Sequence, residues 1–212
     1  MNINELNKVF EKGCKELTAA IDSFPWEDRM AYATWLSQTY YLTAHTTRYM
    51  ALMAGLMGTE MEQEHVYMCQ KLREETGHSK LATNDLKRLD FNIASFPELT
   101  ATAVIPPTQY YWIQRGFFGH YGYFWLLEQV AADVGVGLIK KIEGAYGPKT
   151  ATFLQIHAVH DQDHAAEVHE KIKTLSPEVY PWIAKNIETS VFLYSQMLEE
   201  IKVCSRSVKK SA

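Results

Sequence analysis

Thr150-Ala-Thr-Phe-Leu-Gln-Ile-His157-Ala-Val-His160-Asp161-Gln-Asp163-His164-Ala-Ala-Glu-Val-His169 reads as helix, with neither Gly nor Pro inside it. His157, Asp161 and His164 stand four and three residues apart. At about 100° per residue the three fall within roughly 60° of one another, on one helix face. Two imidazoles and a carboxylate on one face make the mixed N/O donor set that suits iron, manganese or zinc. A solvated polar face is the simpler account of a single His pair. Four His and two Asp between 157 and 169 exceed that account, and other helices must supply the rest of a site.

At 212 residues and 47% hydrophobic, the chain is long enough for one sizeable core, and no linker divides it. A single domain over 1–212 is expected, with 206–212 as a flexible tail. The net charge of −4 argues against nucleic acid as a partner. The N-terminal dozen residues lack the apolar stretch of a signal peptide. The longest weakly polar run, Gly116–Leu127, is far short of the roughly 18 residues a membrane span needs. Cys14, Cys69 and Cys204 are odd in number and scattered, unlike a disulfide framework. These features describe a soluble, cytoplasmic protein without a membrane partner.

Working outward, helical periodicity recurs in nearly every segment and no strand pattern appears. Helices are expected over 4–22, 26–57, 59–90, 107–132, 137–145, from 150 to the break at Pro177, and 178–205, about seven in all. Pro97, Pro106 and Pro107 mark a connection between the third and fourth. Gly135 and Gly137 interrupt the chain after the fourth. The fourth helix is aromatic on nearly every side, the mark of a buried helix. The fold class is therefore an all-α bundle.

Two further helices offer ligands. Glu75 and His78 show the Glu-x-x-His spacing by which bundle helices present a carboxylate and an imidazole inward. In a charged helix that spacing is more often surface decoration, and Glu74 stands beside Glu75 as a rival. Glu128 follows Gly-Tyr-Phe-Trp-Leu-Leu and precedes Gln-Val-Ala-Ala. It is a carboxylate within an aromatic helix, where a charge is costly unless paired or metal-bound. The ligand inventory is Glu75, His78, Glu128, His157, Asp161 and His164. It suffices for two metal ions and is too rich in oxygen, and too poor in thiolate, for a structural zinc site.

With Glu75-Thr-Gly-His78, Glu128 after its aromatic run, and His157-x3-Asp161-x2-His164, the chain resembles the haem-oxygenase-like dimetal oxidases, or iron-containing redox enzymes. The resemblance covers most of the chain. It implies a haem-oxygenase-like bundle of about seven helices. It also implies that the six residues hold two irons, with manganese as a substitute, which use dioxygen to oxidise or cleave a small organic substrate. Several members place the first carboxylate seven residues before the histidine, where this chain has Lys71; Glu75 meets the three-residue spacing that others use.

His160 and Asp163 are candidates to hydrogen-bond the ligands, although exposed positions explain them as simply. Tyr40, Trp112, Arg115 and Tyr121 are candidates for the substrate pocket, although core packing explains the aromatics and a salt bridge the arginine. An electron donor and a homodimer are compatible with this reading. Three rivals stand beside it: a haem-cleaving bundle with His45 as axial ligand, a metal-free enzyme similar to the thiaminase II group using Cys69, and a non-enzymatic bundle. The first leaves Glu128 and the 157–164 triad unexplained, and nothing in the sequence marks Cys69 as activated.

Overall fold

The helix with the least amphipathic sequence is also one of the most enclosed. In α2, Arg29–Leu56, every residue from Ala31 to Thr39 is buried, so its first half is enclosed on all sides. Around it pack α3, α4, α5 and α8. This computed structural model describes residues 1–210, the side chains of 159–163 and 207–210 excepted. Among the described residues there are eight α-helices and no strand, as an all-α fold requires: α1 (Ile3–Asp22), α2, α3 (Glu62–Glu75), α4 (His78–Arg88), α5 (Thr100–Gly116), α6 (Tyr121–Tyr146), α7 (Thr152–Thr174) and α8 (Tyr180–Lys210). One contiguous apolar core draws on all of them.

Local chemistry sets several boundaries. Asn2 and Glu5 form a reciprocal capping box at the start of α1. Asp28 caps α2 by accepting from the backbone N–H of Met30 and Ala31, so the helix starts three residues later than expected. Trp26 is left in the preceding turn, buried, its indole N–H donating to the Ile21 carbonyl at 2.8 Å. Pro181 falls in the first turn of α8, where its missing N–H costs nothing. That helix runs to Lys210, through most of the stretch expected to be a tail; Ser211 and Ala212 lie outside the described residues.

Three expectations are corrected. The segment 59–90 is two helices, broken where Thr76 turns extended and Gly77 takes a left-handed φ of 101°. Pro106 and Pro107 lie inside α5, which begins earlier at Thr100. The break instead follows Gly116, in a short 3-10 turn, Phe117–His120. Gly135 and Gly137 do not interrupt α6, which is continuous from Tyr121 to Tyr146. Gly135 serves packing: a Cβ there would lie 2.5 Å from Ala158 Cβ, so only a bare backbone lets α7 approach this closely. Ala158 is the neighbour of His157.

Candidate metal centre

The start of α7 is held from outside. Asp85 of α4 is fully buried, and its carboxylate accepts from the Phe153 N–H at 2.8 Å, the Thr152 hydroxyl and the Arg88 guanidinium at 2.7 Å. A carboxylate at a helix N-terminus satisfies its unpaired donors and opposes its dipole. Burial raises the Asp85 pKa above the usual carboxylate range, and the three donors pull only part of the way back. This anchor fixes the first turn of α7 and so the register of His157.

His157 Nδ1 lies 2.7 Å from the Phe153 carbonyl, one turn back. Since a carbonyl only accepts, Nδ1 carries the proton, and Nε2 is left with its lone pair. Burial lowers the His157 pKa, which keeps the ring neutral. A neutral imidazole with one nitrogen tied to a carbonyl is the usual preparation of a metal-ligating histidine.

The broken third helix brings Glu75 and His78 to the same place. Glu75 ends α3, His78 begins α4, and the turn at Gly77 folds one onto the other, with His78 Nδ1 2.9 Å from Glu75 Oε2. The His78 and His157 rings meet edge to face at 4.9 Å. One donor atom from each of Glu75, His78 and His157 lies within 4.8 Å of the others. Burial works against the Glu75 charge, but the hydrogen bond and charge of His78 lead the groups that outweigh it, and its pKa falls below the usual range. The Glu75 carboxylate in turn raises the pKa of His78.

Glu128 and His164 adjoin this trio. His164 Nδ1 is 3.7 Å from Glu128 Oε2, and its Nε2 is 3.7 Å from Glu74 Oε2. Glu128 is half-buried rather than enclosed, yet its Oε2 atom is sealed from solvent. This oxygen has no hydrogen-bond partner among the described residues, whereas the buried His78 Nδ1 has its 2.9 Å contact with Glu75. A buried carboxylate oxygen left this way is expensive, and a cation beside it would satisfy it. Both acidic neighbours thus face site histidines, but differently. Glu75 belongs to the trio, whereas Glu74 is shared with Lys71, whose Nζ lies 2.9 Å from both Glu74 and Glu167. Asp161, His160 and Asp163 lie outside the described residues.

Glu75, Glu128 and His157 also line one end of a cavity of about 150 Å³ enclosed by α1, α2, α6, α7 and α8. Its wall is mostly apolar, with Trp35, Met50, Tyr123, Phe124 and Phe153 prominent. Thr39, Thr43 and Thr46 add a polar strip, and the Thr39 hydroxyl is buried without a partner among the described residues. Tyr40, Trp112, Arg115 and Tyr121 are not among the lining residues. Tyr40 packs on Tyr41, Trp112 sits between Tyr111 and Trp182, and Arg115 lies over the Tyr111 and Trp182 rings. Tyr121 is fully buried in the core. Nor do His45 and Cys69 line the cavity: His45 Nδ1 contacts the Tyr110 hydroxyl at 3.0 Å, and Cys69 is exposed, 3.6 Å from His65 Nε2.

A family model described as iron-containing redox enzyme matches residues 33–188, a span that holds every donor named above. The chain belongs to this family. No curated protein matches it. Among solved structures, a domain of unknown function with a haem-oxygenase-like fold from Shewanella denitrificans superposes with a TM-score of 0.85 at 19% identity, covering 100% of this chain and 97% of that one. A TenA homologue from Pseudomonas syringae pv. tomato gives 0.73 at 12% identity, over 95% of each chain. The TenA homologue from P. horikoshii gives 0.74 at 11%, covering 95% of this chain and 98% of that one. The fold is haem-oxygenase-like. No helix among the described residues is long and apolar enough to cross a membrane.

Proposed function

We propose that the protein is a non-haem di-iron oxidase, using dioxygen to oxidise or cleave a small organic substrate. The observation that carries this reading is the convergence of Glu75, His78 and His157, two of which, Glu75 and His157, line an apolar cavity. Glu75, His78 and His157 would hold one iron. Glu128 and His164, with Asp161 on the same helix face by spacing, would hold the second. Carboxylates and imidazoles without thiolate are a donor set that suits iron and, as a substitute, manganese. Bound iron supplies the redox chemistry with dioxygen; the chain supplies everything else.

That contribution can be assigned to residues. The Phe153 carbonyl and the Asp85 anchor hold His157 in one tautomer and one position. Trp35, Tyr123, Phe124 and Phe153 exclude water from the cavity and hold the apolar body of the substrate. The Thr39 hydroxyl, without a partner among the described residues, offers a hydrogen bond to one polar group on it. The favoured substrate is thus small and largely apolar, with a single polar handle.

The test is metal analysis of protein purified without oxygen and reconstituted with Fe(II), its optical spectrum followed as oxygen is admitted. Close to two irons per chain and a transient visible absorption are expected. Failure to bind iron, with haem binding in its place, would transfer the site to a different chemistry.

A further inference from the structure

A continuous file of aromatic rings leads away from His157 to the molecular surface. The Phe153 ring lies 4.2 Å from the His157 ring, and Trp35 lies 6.0 Å beyond Phe153. Trp35 is near-parallel to Tyr32 at 6.0 Å, and Tyr32 is stacked on Tyr146 at 5.6 Å. Trp26 closes a triangle, 5.1 Å from Trp35 and 6.2 Å from Tyr32. Trp26, Tyr32, Trp35 and Phe153 are buried, whereas Tyr146, near the end of α6, is half-buried and reaches the surface. Aromatic packing alone accounts for a cluster of rings. It does not require that the cluster begin against a candidate ligand, include a cavity-lining Trp, and end at solvent.

We propose that Trp35, Tyr32, Trp26 and Tyr146 form an electron-transfer relay joining the candidate metal centre to the surface. Tunnelling falls off exponentially with distance, so short steps between oxidisable rings outrun a single long one. The electron travels inward. Were the centre to hold a metal ion oxidised by dioxygen, with no substrate to consume the oxidation, Trp35 would give it one electron through Phe153, which is bridge only because benzene rings are hard to oxidise. The Trp35 radical cation keeps its indole proton, directed at the Tyr194 hydroxyl 3.3 Å away. An electron from Tyr146 then refills Trp35. Tyr32 acts as a bridge on this step, because its hydroxyl donates to the Thr150 carbonyl, which cannot take the proton. The Tyr146 hydroxyl also donates to a carbonyl, that of Trp26, but its position at the surface lets the phenolic proton pass to water. A soluble one-electron donor of the thiol or ascorbate class returns an electron, and water a proton, to the tyrosyl radical. The sum is one-electron reduction of the metal ion at the expense of that donor. The same route protects the site from its own oxidant and supplies reducing equivalents to it.

The centre at the inner end rests on the di-iron reading, but conduction along the rings does not, so it is tested in metal-free protein. Glu74, exposed beside His164, is replaced by Cys in a Cys69→Ser, Cys204→Ser background and labelled with a ruthenium polypyridyl photo-oxidant. Cys14 is buried, its thiol pKa pushed up to about 12, and escapes labelling. Flash-quench generation of ruthenium(III) is followed by electron paramagnetic resonance of protein with ring-deuterated tyrosine. A tyrosyl signal is expected that disappears in Tyr146→Phe and loses most of its intensity in Trp35→Phe, with helicity unchanged by circular dichroism. A signal unchanged in both variants, or none while ruthenium(III) is seen to form, overturns the relay. Neither result touches iron binding, which metal analysis decides separately.

Discussion

Asp85 has the most to do at the scale of single residues, because one carboxylate joins α4 to the first turn of the helix that carries His157. Asp85→Ala leaves the Phe153 N–H and the Thr152 hydroxyl without an acceptor and removes one of two acceptors from Arg88, and should cost on the order of 3 kcal/mol in chemical denaturation. Asp85→Asn keeps an acceptor oxygen and should cost clearly less. The pH dependence has a definite sign. Burial raises the folded-state pKa of Asp85, so the folded protein binds that proton more tightly than the unfolded chain. Its contribution is fully present below the ordinary aspartate pKa and lost as pH rises through the raised value. Asp85→Asn should flatten this part of the stability–pH curve, and an identical curve would show that Asp85 does not titrate there. The two neighbouring glutamates separate in a similar way. Glu75 shares the trio with both histidines, whereas Glu74 is tied to Lys71. Glu75→Ala should therefore lower iron stoichiometry by metal analysis more than Glu74→Ala does. The reverse order would place Glu74 in the centre instead.

The elements show what the sequence encodes plainly and what it does not. Helical periodicity makes the all-α class and most helix ends legible, whereas the caps at Asn2 and Asp28 show only in the structure, and the His-rich segment is helix over nearly its expected range. Glycine and proline mislead, because their effect depends on the neighbour. Gly77 breaks a helix that periodicity would continue, and that break brings Glu75 and His78 together. Gly135 sits in a continuous helix and admits Ala158. The cavity wall was the least legible part. In helices as uniformly apolar as α2 and α6 no hydrophobic stripe marks which aromatics face inward, so Trp35 and Tyr123 line the cavity while Tyr40 and Tyr121 do not. Asp85 was missed because the two partners that give it its role, Thr152 and Phe153, are more than sixty residues away. The α6–α7 contact gives a test of the packing claim. Gly135→Ala forces a Cβ against Ala158 and should destabilise the protein by about 1–3 kcal/mol while lowering iron stoichiometry through displacement of His157. Adding Ala158→Gly removes the opposing methyl and should recover part of both losses, a coupling that a double-mutant cycle measures. Purely additive effects would mean that the two helices do not meet there.

At the scale of the whole molecule, the donors come from α3, α4, α6 and α7, so an ion bound among them ties together helices distant in sequence. A ligand that binds only the folded state adds RT ln(1 + [L]/Kd), about 2.7 kcal/mol at a hundredfold excess over Kd. For a chain of this length that corresponds to a rise of roughly 5–10 °C in the thermal midpoint. Fe(II) added without oxygen should produce such a rise, and a chelator should reverse it. His157→Ala should abolish the rise even if the variant's own midpoint is lower, because the comparison is between loaded and metal-free forms of one protein. Mn(II) should act in the same direction, since the site offers it the same oxygen and nitrogen donors. An equal rise in His157→Ala would mean that His157 is no ligand of the stabilising ion. No rise in the wild type at saturating Fe(II) would mean that these helices are already held in place by the core, with the acidic and imidazole groups paired only with one another.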